Sequence, residues 1–299
     1  MKIIKDIDQI PQEVQACISV YGHLAQHNYY LYLNYNRKDE KHIFFDAGNN
    51  RGVMAYQKKD NWHILTDPIA PFAEKKKILL EVIGWIFKNS RAKKIILEDI
   101  TEGLKKEIGV AAKQNTWRAV KPSYSLIWPV IDLENWTGQG GHYKRIRNAW
   151  HKFFRDNKIE FKDAKKINAK DLNRLILKWK AQRQDNDRVH LSPYLKFAAN
   201  NFQDFDVVRL MVVQGKPISV AAGWAIPNSD GFYYSCVGIY DYDYKNIGEA
   251  AYWDEMIKLK ELDYKKIDLG GSLGGLLAFK NKFYPASSYT TYTFSILRK

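Results

Sequence analysis

The chain has only two cysteines, Cys17 and Cys236, in 299 residues. Two thiols make no disulfide framework, and with no Cys-x-x-Cys pair they make neither a redox motif nor half a zinc site. Cys236 lies inside an apolar strand-like run and reads as a small core residue. There is no Gly-Lys-Ser/Thr phosphate loop, which leaves P-loop nucleotide hydrolysis without its cradle. No run of about 18 apolar residues occurs; the most apolar stretch, Ile78 to Phe87, is interrupted by Glu81. The opening Met1-Lys-Ile-Ile-Lys-Asp-Ile-Asp lacks the apolar core of a signal peptide. A soluble, cytoplasmic protein without a metal is expected.

Acidic residues are also in short supply: 33 Asp and Glu stand against 47 Lys and Arg, a formal net charge of +14. Such an excess favours polyanionic partners, whether tRNA, a phosphate-bearing cosubstrate or an anionic membrane surface. Lysines spread along the whole chain read equally well as a solubilising surface. A content of 45% hydrophobic and 14% aromatic residues argues for a folded chain over a disordered one. At 299 residues, about two domains fit.

Strand-like runs span Tyr29 to Tyr35, His42 to Asp46, Arg51 to Gln57 and Trp62 to Leu65. After Asp67-Pro68-Ile69-Ala70-Pro71, the stripe Ile78, Leu79, Val82, Ile83 and Ile86 predicts a helix from about Ala73 to Lys88. A strand, Lys94 to Glu98, and a helix, Thr101 to Gln114, follow. A similar order returns later. Strands at Val207 to Val213, Ile218 to Ala225 and Phe232 to Tyr240 lead to an amphipathic helix over Gly248 to Leu262 and a strand from Ile267. Before them stand a short strand, Ile159 to Phe161, and a helix from Ala169 to about Gln184. The order of elements repeats although the residues do not, which predicts two α/β units, residues 1–138 and 139–299.

Meander, glycine-containing turn, helix and strand is the order of an N-acyltransferase of the GNAT fold. The expected fold class is therefore α/β (α+β), with tandem GNAT-like units, each a mixed, largely antiparallel sheet flanked by helices. GNAT enzymes carry a Gln/Arg-x-x-Gly-x-Gly/Ala loop at the strand-to-helix junction, and Lys245-x-x-Gly248-x-Ala250 resembles it. Glycine admits a ligand close to the backbone, and the N–H groups of a helix start suit an anion. Lys245, Gly248, Glu249 and Ala250 are thus candidate donor-phosphate residues. A plain strand-to-helix turn is the competing reading.

Two further segments have alternative readings. In Tyr143 to Arg155, at helical spacing, Tyr143, Ile146, Trp150 and Phe153 form one face. Lys144, Arg145, Arg147, Lys152 and Arg155 crowd the rest, either to bind tRNA or an anionic surface or merely to solvate a linker helix. Asp67 reads as a structural acceptor for backbone N–H groups at a helix start in preference to a catalytic acid.

Asp67-Pro68-Ile69-Ala70-Pro71, Tyr143-Lys-Arg-Ile-Arg-Asn, the strand ending Asp268-Leu269-Gly270, and Phe279-Lys280-Asn281-Lys282-Phe283-Tyr284-Pro285 together resemble the phosphatidylglycerol lysyltransferase C-terminal domain family. That family is similar to the Fem-type peptidyltransferases. The resemblance implies transfer of an amino acid from aminoacyl-tRNA to a lipid or other small acceptor. It also implies that Lys280 lies by the reacting carbonyl, where a cation stabilises the oxyanion or leaving hydroxyl. Asp241 or Asp243 would deprotonate the acceptor. In the bland alternative, Phe279 and Phe283 pack in the core and both lysines face solvent. The chain departs from the family in having no counterpart of its flippase region. The family's Asp with Arg three residues later is also missing, because Asp241 is followed by Tyr244 and only then by Lys245. Donor amino acid and acceptor therefore stay open. The donor, aminoacyl-tRNA or acyl-CoA, is a cosubstrate, and no tightly bound cofactor is expected. An acyl-CoA-dependent N-acyltransferase and a non-catalytic polyanion-binding scaffold are the alternatives, and peripheral contact with a membrane is left open.

Overall fold

The computed structural model describes residues 2–5, 7–35, 40–183 and 190–299. The first half runs β1 (Lys2–Lys5), α1 (Pro11–Tyr21), α2 (Tyr29–Tyr35), β2 (Glu40–Gly48), β3 (Arg51–Lys58), β4 (Asn61–Leu65) and α3 (Phe72–Asn89). It ends with β5 (Lys94–Thr101), α4 (Glu102–Gln114), β6 (Trp117–Ala119) and β7 (Tyr124–Asp132). The second half has α5 (Lys144–Asp156), β8 (Glu160–Lys162), α6 (Ala169–Ala181), α7 (Leu191–Ala199), β9 (Val207–Val213), β10 (Lys216–Ala225) and β11 (Phe232–Tyr240). It closes with α8 (Ile247–Glu261), β12 (Lys266–Asp268), α9 (Gly274–Asn281) and β13 (Ser287–Arg298).

Both halves use the same wiring. β2, β3 and β4 form an antiparallel meander, and α3 crosses over to β5, which pairs parallel with β4. β9, β10 and β11 form the second meander, and α8 crosses to β12, parallel with β11. Parallel neighbours need such a crossover, and the helix supplies it.

The halves then exchange their last strands. β13, from the second half, pairs antiparallel with β5 from Thr291↔Thr101 to Leu297↔Lys94. β7, from the first half, pairs antiparallel with β12 from Lys266↔Asp132 to Asp268↔Val130. The two exchanged strands pair with each other from Ser287↔Val130 to Thr293↔Tyr124. One continuous sheet results.

Alternation along the strands decides which helices cover which face. Phe45, Val53, Ile64, Ile95 and Leu97 pack under α3 and α4, while Phe44 and Met54 turn the other way toward α1 and α2. Leu210, Val220 and Ile239 pack under α6 and α7. Tyr233 and Met211 meet α8, against which α5 is stacked.

Three expectations change. Tyr29–Tyr35 is helical: Asn28 Oδ1 accepts the Leu31 N–H at 3.0 Å, and Tyr29, Tyr32 and Leu33 bury one face at helical spacing. Local capping and packing override the β propensity of the tyrosines. α6 stops at Ala181, and Gln184 lies outside the described residues. α8 is buried nearly all round, including Asp254 and Glu255, because the sheet covers one side and α5 the other.

Phe294 and Ile296 of β13 are buried in the first half's core. Phe294→Ala should destabilise the protein by about 3–5 kcal/mol. Hydrogen exchange should show β4 and β5 losing protection before β10 and β11, although residue 294 belongs to the second half. Loss confined to the second half would contradict the exchange.

Candidate active site

β12 pairs with β11 only from Phe232↔Lys266 to Tyr234↔Asp268, while β11 runs on to Tyr240. The parallel strands therefore part beyond Asp268. The chain turns there through Gly270, whose φ of 83° is the left-handed conformation glycine accepts without strain. Ser272 then bridges back to Ile127 of β7 before α9 begins. α9 carries Lys280 into the gap, where it is 5% exposed. Its Nζ donates to Gly270 O at 3.0 Å and to Ser272 Oγ at 2.6 Å. Among the described residues it has no ion-pair partner, and burial pulls its ammonium down to about 8.

Asp268, fully buried, feels the Lys280 charge from the other side of Gly270. One oxygen accepts the Gly270 N–H at 2.8 Å and the other the Tyr289 hydroxyl at 2.6 Å. Burial pushes this carboxyl up to about 6. The Tyr289 ring stacks on Trp128 with centroids 5.5 Å apart. Trp128 Nε1 donates to Thr291 Oγ1, and that hydroxyl donates to Asp99, a second carboxyl that burial raises to about 6.

Asp268, Ser272 and Tyr289 were not among the expected site residues. One signal was available: Gly270-Gly271-Ser272-Leu273-Gly274 has the Gly-x-Ser-x-Gly spacing of a nucleophile elbow, between a strand and a helix. Its serine is partnered by lysine instead of histidine.

The expected residues fall into separate groups. Lys280 is enclosed, whereas Lys282 is exposed and pairs with Glu249 at 2.8 Å. Phe279 and Phe283 pack on Tyr252, so Lys280 in α9 and Lys282 just past its end meet different surroundings. Asp241 and Asp243 both hold Lys178 of α6, at 2.7 and 2.5 Å. Asp241 and Lys178 help line a cavity of about 150 Å³ with Tyr244 and Lys216. Lys280 acts electrostatically on Cys236, which lies five strand residues before Asp241. Among the described residues no hydrogen bond or ion pair joins Asp241 or Asp243 to Lys280.

Lys245 is exposed just before α8, and no side chain caps that helix. Gly248 sits in its first turn, where a Cβ would stand 3.2 Å from Phe279 Cζ. Close packing of α9 is reason enough for this glycine. Ala250 is buried, and the Glu249–Lys282 pair lies beside the same turn.

On α5, Ile146 and Phe153 are buried while Lys144, Arg145, Lys152 and Arg155 are exposed. Arg147 turns inward, donating to Gly138 O at 2.7 Å. His23 and His27, four residues apart, converge on no common point. His23 Nε2 meets Lys75 Nζ, and His27 Nε2 meets Asp67 O. Asp67 accepts the Thr101 N–H at 3.0 Å and its hydroxyl at 2.8 Å. It is thus the structural acceptor expected, but at the start of α4 instead of α3.

No sequence-family model and no curated protein matches the chain. Solved structures do. The C-terminal domain assigned to a lysylphosphatidylglycerol synthetase of Agrobacterium fabrum is similar at 15% identity and a TM-score of 0.71, covering 98% of this chain and 92% of that one. L-PGS from Bacillus licheniformis is similar at 14% identity and a TM-score of 0.71, covering 97% of this chain and 91% of that one. FemX is similar at 11% identity and a TM-score of 0.57, covering 99% of this chain and 97% of that one. These likenesses concern the fold, which is the tandem GNAT-like α/β arrangement expected.

On the far face of β11, Glu255 is 2% exposed, accepts only the Ser235 hydroxyl among the described residues, and is pushed by burial up to about 8. Its folded pKa lies above the ordinary 4.5, so the folded state holds the extra proton and loses stability as pH rises from 4.5 through 8. Glu255→Gln should leave stability near pH 4.5 unchanged. Between pH 4.5 and 8 it should remove a decline of up to about 1.4 kcal/mol per pH unit. Urea midpoints across that range check this.

Proposed function

We propose that the chain is an aminoacyltransferase moving an amino acid from aminoacyl-tRNA to a lipid or other small acceptor. In this reading, residues 139–299 carry the chemistry and residues 1–138 form the supporting unit. The observation that carries it is Lys280, an ammonium buried where two parallel strands part. Two neutral oxygens hold it, no carboxylate lies at ion-pair distance among the described residues, and a third N–H is left for a substrate oxygen. The names of the structural neighbours, a lysylphosphatidylglycerol synthetase and FemX, support the same class of reaction.

The acceptor's nucleophile attacks the aminoacyl ester carbonyl, and Lys280 stabilises the oxyanion. Tyr289 takes the nucleophile's proton while passing its own to Asp268, a shift along the 2.6 Å bond between them. On collapse, the bond to the ribose oxygen breaks and the proton returns to that oxygen. This pair stands ahead of Asp241 and Asp243 as base, because those two are both engaged by the Lys178 ammonium. Lys245 and the α8 start, with Gly248, Glu249 and Ala250, would meet donor phosphates.

A screen of aminoacyl-tRNAs beside acyl-CoA donors identifies the donor; turnover with acyl-CoA alone would replace this reading with the N-acyltransferase one. Under the best donor, Lys280→Ala should slow turnover roughly 100-fold or more, and Lys282→Ala should stay near wild type. Equal, small effects would remove Lys280 from the chemistry.

The exposed residues of α5 are assigned to a polyanion. Reversing Lys144, Lys152 and Arg155 to Glu should weaken tRNA binding and reduce the slope of log K against log salt by about 0.7–0.9 per lost phosphate contact. Unchanged binding in a filter assay would leave α5 as a linker helix with solvated charges.

A further inference from the structure

Asp99 takes no part in the proposed transfer, yet the structure joins it to the site. It stands near the end of β5, where Leu97 and Ile100 pair with Phe294 and Tyr292 of β13. Glu98 and Asp99 therefore oppose Thr293 alone, and such a bulge re-aims a side chain. Asp99 has a φ of 51°, in the left-handed region that residues other than glycine enter at a cost. From there its carboxylate accepts the Thr291 hydroxyl at 3.0 Å, and Thr291 Oγ1 in turn accepts the Trp128 Nε1–H at 2.9 Å. Thr291 and Trp128 are both buried.

Trp128 touches both parts of the site. It is the cross-strand partner of Tyr289, and the two rings stack with their planes 12° apart. A Cβ at Gly271 would stand 2.8 Å from Trp128 Cε2, so the turn that leaves β12 also lies against the indole. That turn holds Lys280 through the Gly270 carbonyl, and the phenol holds Asp268. Stacking and apolar contact do not fix which way an indole edge points. Its one N–H does, because a buried donor without an acceptor is costly. A threonine hydroxyl turns freely and could present its own proton to that edge. With the proton committed to Asp99, Thr291 presents a lone pair to Nε1 instead.

We infer that Trp128 is a positioning residue of the site, held in register by Asp99 of the first unit through Thr291, and that it keeps the Tyr289 phenol on Asp268. The supporting unit thereby sets the geometry of the acid–base pair. The consequence for turnover rests on the transferase reading; the positioning does not.

Carbon-13 NMR of the Asp268 carboxyl, assigned by its loss in Asp268→Asn, reads the position of the phenol without any turnover. The Tyr289 bond lowers the point at which Asp268 takes up a proton, about 6 in the intact protein. Thr291→Val removes the hydroxyl and keeps the β-branched shape, so the midpoint should rise, by up to about 1 pH unit if the phenol bond is lost. Lys280 and the Gly270 N–H, which also act on Asp268, are untouched by that change. Asp99→Gly, which suits the left-handed backbone, should raise the midpoint too; removing a negative charge alone would lower it, so a rise reports the phenol. Thr291→Ser, which returns the hydroxyl, should recover the wild-type midpoint and guards against a folding defect. Under the best donor, Thr291→Val should lower kcat roughly tenfold with KM nearly unchanged, and Thr291→Ser should recover it. A bond that serves stability alone would lower the melting temperature and leave midpoint and kcat in place. A midpoint that does not rise in Thr291→Val or in Asp99→Gly would overturn the proposal, whatever the rates do. A raised midpoint with unchanged kcat would keep the positioning and remove Tyr289 and Asp268 as the base.

Discussion

The antiparallel pairing of β7 with β13 holds the whole arrangement together. Each strand closes a sheet belonging to the other half, β13 beside β5 and β7 beside β12, and their mutual pairing makes the joint. A sheet ending at β5 or β12 would leave unpaired backbone groups at an edge. The exchange satisfies both edges at once and fuses two repeated topologies into one folding unit. It also fixes the site, since Asp268 pairs across to Val130 of β7 while Tyr289, its hydroxyl partner, stands on β13. The carboxyl and phenol face each other across β7, the first-half strand that runs between β12 and β13.

Within that frame, Gly270 arranges the charges. Its N–H points to Asp268 and its carbonyl to Lys280, so one residue solvates an anion on one side and a cation on the other. Burial penalises both charges, moving the carboxyl up to about 6 and the ammonium down to about 8. Between those values both groups are charged, yet neither is spent on a direct ion pair. An ammonium bound to a carboxylate would have its field cancelled. Held by a carbonyl and a hydroxyl, Lys280 keeps it for a third oxygen.

Much of the layout was legible in the chain because hydrophobic periodicity is local. The strand meanders and the helices α3, α4, α5 and α8 follow from apolar spacing, and the repeated order followed from them. What was not legible depends on distant partners. Tyr29–Tyr35 has strand-forming residues but is helical because Asn28 caps it and α1 and β3 cover its inner face. The amphipathic reading of α8 left its carboxylates to solvent, yet Arg209 of β9 holds Asp254 and Ser235 of β11 holds Glu255 against the sheet. Lys280 was singled out by the family resemblance of its motif. Asp268 and Tyr289 could not be, since nothing in the sequence pairs residues from different strands. The Gly-x-Ser-x-Gly spacing around Ser272 was visible, but its lysine partner was not.

The two units share a topology and differ at the corresponding gap, which explains how a tandem fold can have one candidate site. In the first unit, β4 and β5 pair through Leu65↔Glu98, and the Thr66 N–H then bonds Glu98 O. Just beyond, Asp67 ties itself to Thr101 by backbone and hydroxyl, and Lys75, 3% exposed, closes over it. The Thr66 bond to Glu98 and the two Thr101 bonds to Asp67 join the end of β4 to the end of β5, so the strands are stapled where they would part. In the second unit the pairing stops at Tyr234↔Asp268, and the bonds of Lys280 run to the chain beyond β12 instead of to β11. The two bonds of Lys280 line the gap without joining β11 to β12. An incoming group could separate β11 from α9 without breaking a strand pair, whereas in the first unit it would have to break the Asp67 staple. The asymmetry lies in which side chain occupies the gap, not in the fold.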